Sequence, residues 1–405
     1  MNSLPKNIWF FVDQVVTLLS QVINLLFITV LFTPSVYGSL AVGMVVVNLS
    51  QQFIALGFSA ALIREEKPCL LYNSVWTVTV LMGFLAWILT MGLLIIIIPK
   101  YFLEYTEELG NYLLLSIIIL LKSLSNISSV EFFRQGDFFK IFCLRGLIEL
   151  IKVLSILLLA YFFEHSLSLI IWGFIIAAAM QLTFSWLLAP MKVQFTSNLS
   201  PAMGLWNFTK WLYFKNFVKI LDGQFITAQI SKHISPTGVG VFTRGITLSS
   251  VPERIFQSYN EVYIYPLLSS LQTEGKSAVE LVKKTILYVL VFFSIVIAIS
   301  IYYGRRIFGF ILGENWLDLA EYFPVFLAIV MVRVSCSVAL VFLRSRGVTN
   351  VDFTASFLKL LVLILFGGYI ILLYGVIYYA YLILITEVVK LIFVLMMSKR
   401  NYSLG

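Results

Sequence analysis

The chain has 405 residues, of which 60% are hydrophobic and only 12% charged, with a formal net charge of +8. A soluble domain carries about a quarter of its residues charged, so this composition excludes one or more ordinary soluble domains and reads as an all-α integral membrane protein. Three cysteines, Cys69, Cys143 and Cys336, and two histidines, His165 and His233, have neither disulfide-framework nor metal spacing, so no metal site and no His-based catalytic centre is expected.

Windows of about 20 apolar residues, the length that spans a bilayer, begin at roughly 9–32, 37–63, 75–98, 110–132, 141–163 and 167–189. They resume at roughly 207–231, 238–265, 281–303, 319–343, 351–373 and 375–397, which predicts about twelve transmembrane helices. The first window lacks a small-residue cleavage pattern and reads as a retained helix, not a signal peptide. On it Asp13, Thr17, Gln21 and Asn24 recur at helical spacing and share one face. The second helix clusters Asn48, Gln51, Gln52 and Ser59, and the fourth Lys122, Ser125, Asn126, Ser129 and Glu131. Such stripes either hydrogen-bond neighbouring helices together or line a cavity; three in one half of the chain favour the cavity. Asn24, Asn48, Gln52 and Asn126 are its predicted polar lining.

A more polar stretch from Pro190 to Trp206 interrupts the hydrophobic windows. It predicts a six-helix lobe over 1–190, a cytoplasmic linker over 191–206 and a second six-helix lobe over 207–405, a common transporter plan. In the second half, Lys215, Lys219 and Asp222 share a face of the seventh helix, and Arg244, Thr247 and Arg254 lie near one face of the eighth. Gly245 and Pro252 interrupt the eighth helix and mark either a static kink or a hinge. With the N-terminus inside, cytoplasmic segments collect Lys6, Arg64, Arg134, Lys192, Lys283 and Arg344 among others, against Lys100, Lys232, Arg305 and Arg306 opposite. That bias puts both termini in the cytoplasm.

Eight cations fall inside the hydrophobic windows: Lys122, Lys152, Lys219, Arg244, Arg254, Arg333, Lys359 and Lys390. A cation in hydrocarbon is costly and faces a bundle interior or a wet cavity. Glu149 with Lys152, Lys219 with Asp222, and Glu387 with Lys390 lie within i,i+3 reach and read as local pairs. Lys359 and Lys390 sit towards the cytoplasmic ends, from which their heads are expected to snorkel. Lys122, Arg254 and Arg333, with Arg244 behind them, have no obvious local acid and form the predicted anion-binding set; Lys152 and Lys219 complete the candidate cationic cavity. Asp13, Glu149 and Asp222 are the candidates for coupling to protons or sodium, and no other cofactor is expected.

Three stretches carry a family resemblance. Tyr37 to Arg64, "YGSLAVGMVVVNLSQQFIALGFSAALIR", resembles the second-helix pattern of the polysaccharide (O-antigen and exopolysaccharide) flippases of the multidrug/oligosaccharidyl-lipid/polysaccharide exporter superfamily. Lys219 to Arg244, "KILDGQFITAQISKHISPTGVGVFTR", is similar to the family's seventh-to-eighth helix passage, and Val251 to Leu268, with Pro252 and Pro266, resembles the helix that follows. Where such proteins commonly carry a basic residue directly after the seventh-helix Asp, this chain has Gly223. The resemblance implies two six-helix lobes around a central cavity, a bacterial inner-membrane location, and transport of undecaprenyl-diphosphate-linked oligosaccharide units by alternating access. It also implies membrane lipids, a polysaccharide polymerase and a chain-length regulator as partners, with no nucleic acid and no enzymatic activity.

Two other functions are distinguishable on residue chemistry. A drug/cation antiporter of the same superfamily would favour acidic and aromatic cavity residues, whereas the mid-membrane balance here is basic. A glycan polymerase would need acid/base residues on a long outer loop, and the predicted outer loops are short and poor in histidine.

Overall fold

A computed structural model of the chain describes residues 6–54, 56–65, 68–270, 275–346, 348 and 350–402, and the described secondary structure is helical. The chain divides into two compact units, Met1–Ala228 (unit 1) and Gln229–Gly405 (unit 2).

Unit 1 opens with α1, Lys6–Ile23, which continues through a π-helical turn at Asn24–Ile28 to Leu31. Pro34, whose fixed φ suits a first helical turn, starts α2 at Pro34–Gln51. The chain then turns and re-enters helix as α3, Phe58–Arg64, from Gly57 at φ 76°, a left-handed conformation that glycine adopts without strain. Next come α4, Tyr72–Tyr101, and α5, Leu109–Ser123, which is followed after a break by a 3₁₀ turn, Ile127–Val130, and α6, Glu131–Gln135. The helix path bends by 68° at that break. The unit continues with α7, Phe138–Leu144, α8, Gly146–Phe162, and α9, Leu167–Leu187. Here α5 packs between α4 and α9, while α1 packs on α7 and α8. Along α4, Leu81, Phe84, Leu85 and Ile88 remain exposed, an apolar face of unit 1 that suits lipid.

α10, Ser200–His233, runs past the boundary between the units. Unit 2 then contains α11, Pro236–Ser249, α12, Val251–Tyr259, a second π-helical turn at Asn260–Ile264, and α13, Tyr265–Ser270. The long helices α14, Gly275–Leu312, α15, Leu319–Ser345, α16, Asn350–Tyr374, and α17, Val376–Tyr402, complete it. α15 is the hub, packed on by α11, α14 and α17, and 72% of its apolar window is buried inside protein against 22% for α14. An apolar helix with so little lipid-facing surface must present its few polar groups to other helices, which is how Arg333 is held.

Among the described residues, seven helices are long and apolar enough to cross a membrane, and the bent α5–α6 element makes an eighth. The expected spans at 37–63, 141–163, 207–231 and 238–265 do not fall among them. Two are interrupted by the α2–α3 and α11–α12 breaks, α8 has only 17 residues, and α10 is rich in polar side chains.

Candidate functional site

The breaks after α2 and α5 converge on a cavity of about 620 Å³ in unit 1. Its walls come from Gln51, Gln52 and Gly57 at one break and Ser125, Asn126 and Ile127 at the other, with Lys122 contributed by the last turn of α5. Helical breaks at membrane depth persist where other groups re-satisfy the freed backbone, and here protein groups do so at the break after α5. The Leu124 carbonyl accepts the Trp186 indole N–H at 3.0 Å, and the Asn126 N–H donates to the Ser185 hydroxyl at 3.0 Å. The Asn126 amide donates to the Met191 carbonyl at 3.0 Å while its oxygen accepts the Ser128 N–H at 2.9 Å, and the Ser128 hydroxyl joins it on Met191 at 2.8 Å. Asn126, 1% exposed, therefore acts as a bracket that shapes the wall. The other break is seated by Leu56 and Phe58, buried with Leu62, Tyr72, Val75 and Trp76 in one apolar cluster.

Lys122 is the charged residue of this cavity, and its Nζ donates to Gln51 Oε1 at 3.0 Å. Lys152 and Glu149, ion-paired on α8, lie within Coulombic reach of it. The Lys152–Glu149 pair expected from i,i+3 spacing is thus present. The local charge sums to one excess cation, and that cation faces the cavity.

Unit 2 holds a second charged group, wired differently from the local-spacing expectation. Glu387 on α17 is 3% exposed and accepts from Lys359 Nζ on α16 at 2.8 Å and from Arg333 Nε on α15 at 2.7 Å. Lys390 reaches Asp352 at 3.3 Å and Ser356 at 2.8 Å instead of Glu387. Two further expectations are corrected. Lys359 does not snorkel but is buried, 5% exposed, because an acid waits for it inside the bundle. Arg333, read as lacking a local acid, has one supplied by α17. In the sequence, Glu387 is hidden behind Lys390, its neighbour at i+3.

The remaining site candidates fall on several helices of each unit. Asp13 is buried against Gly146 at the start of α8, with the Gln14 amide donating to its carboxylate at 3.4 Å. Asn24 opens the first π-helical turn, and the Asn48 carbonyl accepts from the Gln52 side chain at 3.2 Å. Of the predicted polar lining, Gln52 and Asn126 border the cavity around Lys122, while Asn24 and Asn48 do not. Asp222 is half-buried on α10, and the Lys219 side chain lies outside the described residues. Arg244 is half-buried on α11 and Arg254 exposed on α12, both in unit 2, and Lys122 belongs to unit 1. Among the described residues no His, Cys, Asp or Glu cluster has metal-binding geometry.

A profile described as polysaccharide biosynthesis protein matches residues 27–321. The chain belongs to that family. No curated protein matches it in sequence. Among solved structures the chain is similar to a lipid II flippase, MurJ, in an inward closed conformation, with a TM-score of 0.74 and 16% identity over 98% of this chain and 88% of that one. It is also similar to an inward-facing multidrug resistance MATE family transporter of the MOP superfamily, with a TM-score of 0.68 and 12% identity over 100% and 96% of the two chains. A third likeness is to the MATE multidrug transporter DinF-BH, with a TM-score of 0.64 and 14% identity over 97% and 94%. At these identities the likeness is one of fold: this family member is a multi-pass, all-helical membrane protein with a transporter-like architecture.

Proposed function

We propose that the protein is a flippase that moves undecaprenyl-diphosphate-linked oligosaccharide repeat units of an O-antigen, capsule or exopolysaccharide across the bacterial inner membrane by alternating access. The observation that carries this reading is Lys122, a cation in an apolar helix turned into a cavity between two broken helices. Cations at membrane depth mark substrate paths, and an anionic diphosphate is the cargo that offsets one. Membership of the polysaccharide biosynthesis family and the transporter-like fold support the same reading. In it, Lys122 engages the diphosphate, Arg254, Arg333 and Arg244 supply further cationic positions in unit 2, and Asp13, Glu149 or Asp222 couples transport to protons or sodium. Two six-helix lobes joined through 191–206, twelve spans and cytoplasmic termini belong to the same proposal, as do a polymerase and a chain-length regulator as partners.

The test is transport of fluorescent lipid-linked repeat units in reconstituted vesicles. The parent protein exposes the label to an external quencher, and Lys122→Gln and the Arg254→Ala/Arg333→Ala double variant are slow. Unchanged transport in both variants sinks the cationic-path reading. An organic-cation antiporter is the less favoured reading, because Lys122 repels such a cargo; transport of a cationic dye in place of the lipid-linked unit would reverse the order.

A further inference from the structure

The connection between α9 and α10 is fastened along its length. α9 ends at Leu187 and α10 starts at Ser200, a gap longer than the about 2–8 residues usual between packed helices. Within it, residues 191–196 bridge the break after α5 and the start of α4. The Met191 carbonyl accepts from both Asn126 and Ser128, which uses both of its lone pairs. The Gln194 N–H donates to Asn73 Oδ1 at 3.0 Å, and the Thr196 N–H donates to Thr77 Oγ1 at 3.1 Å. The Thr77 hydroxyl itself donates to the Asn73 carbonyl at 2.8 Å, so it presents a lone pair to that amide. Val193, 4% exposed, enters the apolar cluster of Leu62, Tyr72 and Trp76. Phe195 packs on Trp76 with 4.6 Å between ring centroids but stays 64% exposed. Ala202 and Leu205, at the root of α10, join the same cluster. Two turn bonds take up the rest of the gap, from the Asn198 N–H to Thr196 Oγ1 at 3.2 Å and from the Ser200 N–H to Asn198 Oδ1 at 3.3 Å.

The grip is modest. A few backbone groups and one apolar side chain hold the segment, each onto side chains and none in a ladder, which places it at the low end of local opening free energies. Asn126 also borders the Lys122 cavity, so a displacement of that wall loosens Met191 with it. The other end of the segment leads into α10, which runs on past the unit boundary. Resting on the alternating-access function proposed above, we propose that residues 191–196 are a releasable strap. Docked, it ties the cavity wall and α4 to the root of α10. Peeled, it frees about 20 Å of chain at that root, and transport passes through the peeled state. Coupling between two places in a protein takes the form of such a two-state element, biased from both ends. A passive connector needs none of these anchors, because slack in a loop costs little entropy.

Two readouts test the strap on the full-length protein in a Cys69→Ser/Cys143→Ser background, which leaves only the buried Cys336. In nanodiscs, Val193→Cys is expected to react with a thiol reagent at least about tenfold more slowly than Phe195→Cys, because its side chain is reached only when the segment peels. Asn73→Ala with Thr77→Val removes two acceptors and speeds Val193→Cys labelling by about 5–100-fold; neither residue lines the Lys122 cavity. In vesicles, Asn73→Cys/Gln194→Cys joined by a reducible bifunctional thiol reagent locks the strap where the Gln194 N–H meets Asn73. The locked protein is expected to flip fluorescent lipid-linked repeat units at least about tenfold more slowly than the same sample after reduction, a comparison that holds folding constant. Equal rates before and after reduction overturn the strap and leave the proposed function standing. Val193→Cys labelling as fast as that of Phe195→Cys overturns it too, as does labelling that loss of the two acceptors does not speed. A parent protein that flips nothing, with both labelling differences intact, sinks the proposed function and keeps a releasable strap.

Discussion

Removing the Glu387 carboxylate strands two cations. In Glu387→Ala, Lys359, 5% exposed, loses a bond of 2.8 Å and Arg333 loses one of 2.7 Å. Each bond to a charged group contributes about 1.5–3 kcal/mol, and breaking a buried pair by deleting one partner costs about 3–5 kcal/mol because the survivor stays buried and uncompensated. Arg333 keeps partial access to solvent, its side chain being 24% exposed, so the Lys359 loss dominates and the cost is that of one broken buried pair, about 3–5 kcal/mol. Unit 2, Gln229–Gly405, belongs to the size class in which 1 kcal/mol shifts the unfolding midpoint by about 2–4 °C, which gives a drop of about 6–20 °C. Cys336 provides the reporter: it is 3% exposed on α15, whereas Cys69 is exposed and Cys143 half-buried. In a Cys69→Ser/Cys143→Ser background, a thiol-reactive fluorophore added during a thermal ramp reads the opening of this bundle alone. Lys359→Met with Glu387→Met, which replaces the buried pair by apolar side chains, recovers most of the loss. A Glu387→Ala midpoint within about 2 °C of the parent would refute the reasoning, and so would a double variant no more stable than the single one.

Other outcomes follow from the same geometry. Lys122→Gln slows vesicle flipping by about 10–100-fold, the equivalent of one charge-assisted contact, whereas Lys122→Arg retains most of the rate; equal rates in all three proteins count against a charge role. Asn126→Ala removes the bracket on Met191 and Ser128 and lowers the stability of unit 1 by about 2–3 kcal/mol, read as the thermal midpoint with Cys143 as the sole thiol. Gly57→Ala places a Cβ at φ 76°, 3.2 Å from Thr209 Cβ, and costs about 1–2 kcal/mol; a neutral result in the same assay would show that the α2–α3 break does not require the left-handed turn. Reporter fusions at residues 192 and 402 are both expected to be active on the cytoplasmic side, and an external signal from either breaks the positive-inside topology.

How legible the site is depends on the range of the interaction that defines it. Lys122 stands out because a cation in a hydrocarbon window is anomalous wherever the chain goes. The stripe Gln51, Gln52, Ser125, Asn126 is also visible, since 3.6-residue periodicity is local. The bracing role of Asn126 is not: its partners Ser185 and Met191 lie 59 and 65 residues away, so a residue predicted to line the cavity both borders it and binds the wall together. Glu387 is the larger miss. The i,i+3 rule pairs it with Lys390, but it reaches Lys359 and Arg333, 28 and 54 residues distant. No local rule ranks these partners, because the choice depends on which helix faces α17.

Amino-acid order alone determined that this chain is a polytopic helical membrane protein and which side chains are too costly to leave in lipid. Both follow from transfer free energies and helical periodicity, which act over one or two turns. Tertiary structure decided where the helices break and which charge answers which. A freed carbonyl at Leu124 is tolerable only with the Trp186 indole above it, and a buried Lys359 only with Glu387 beside it. Those compensations come from distant helices, and packing alone brings them within 3 Å.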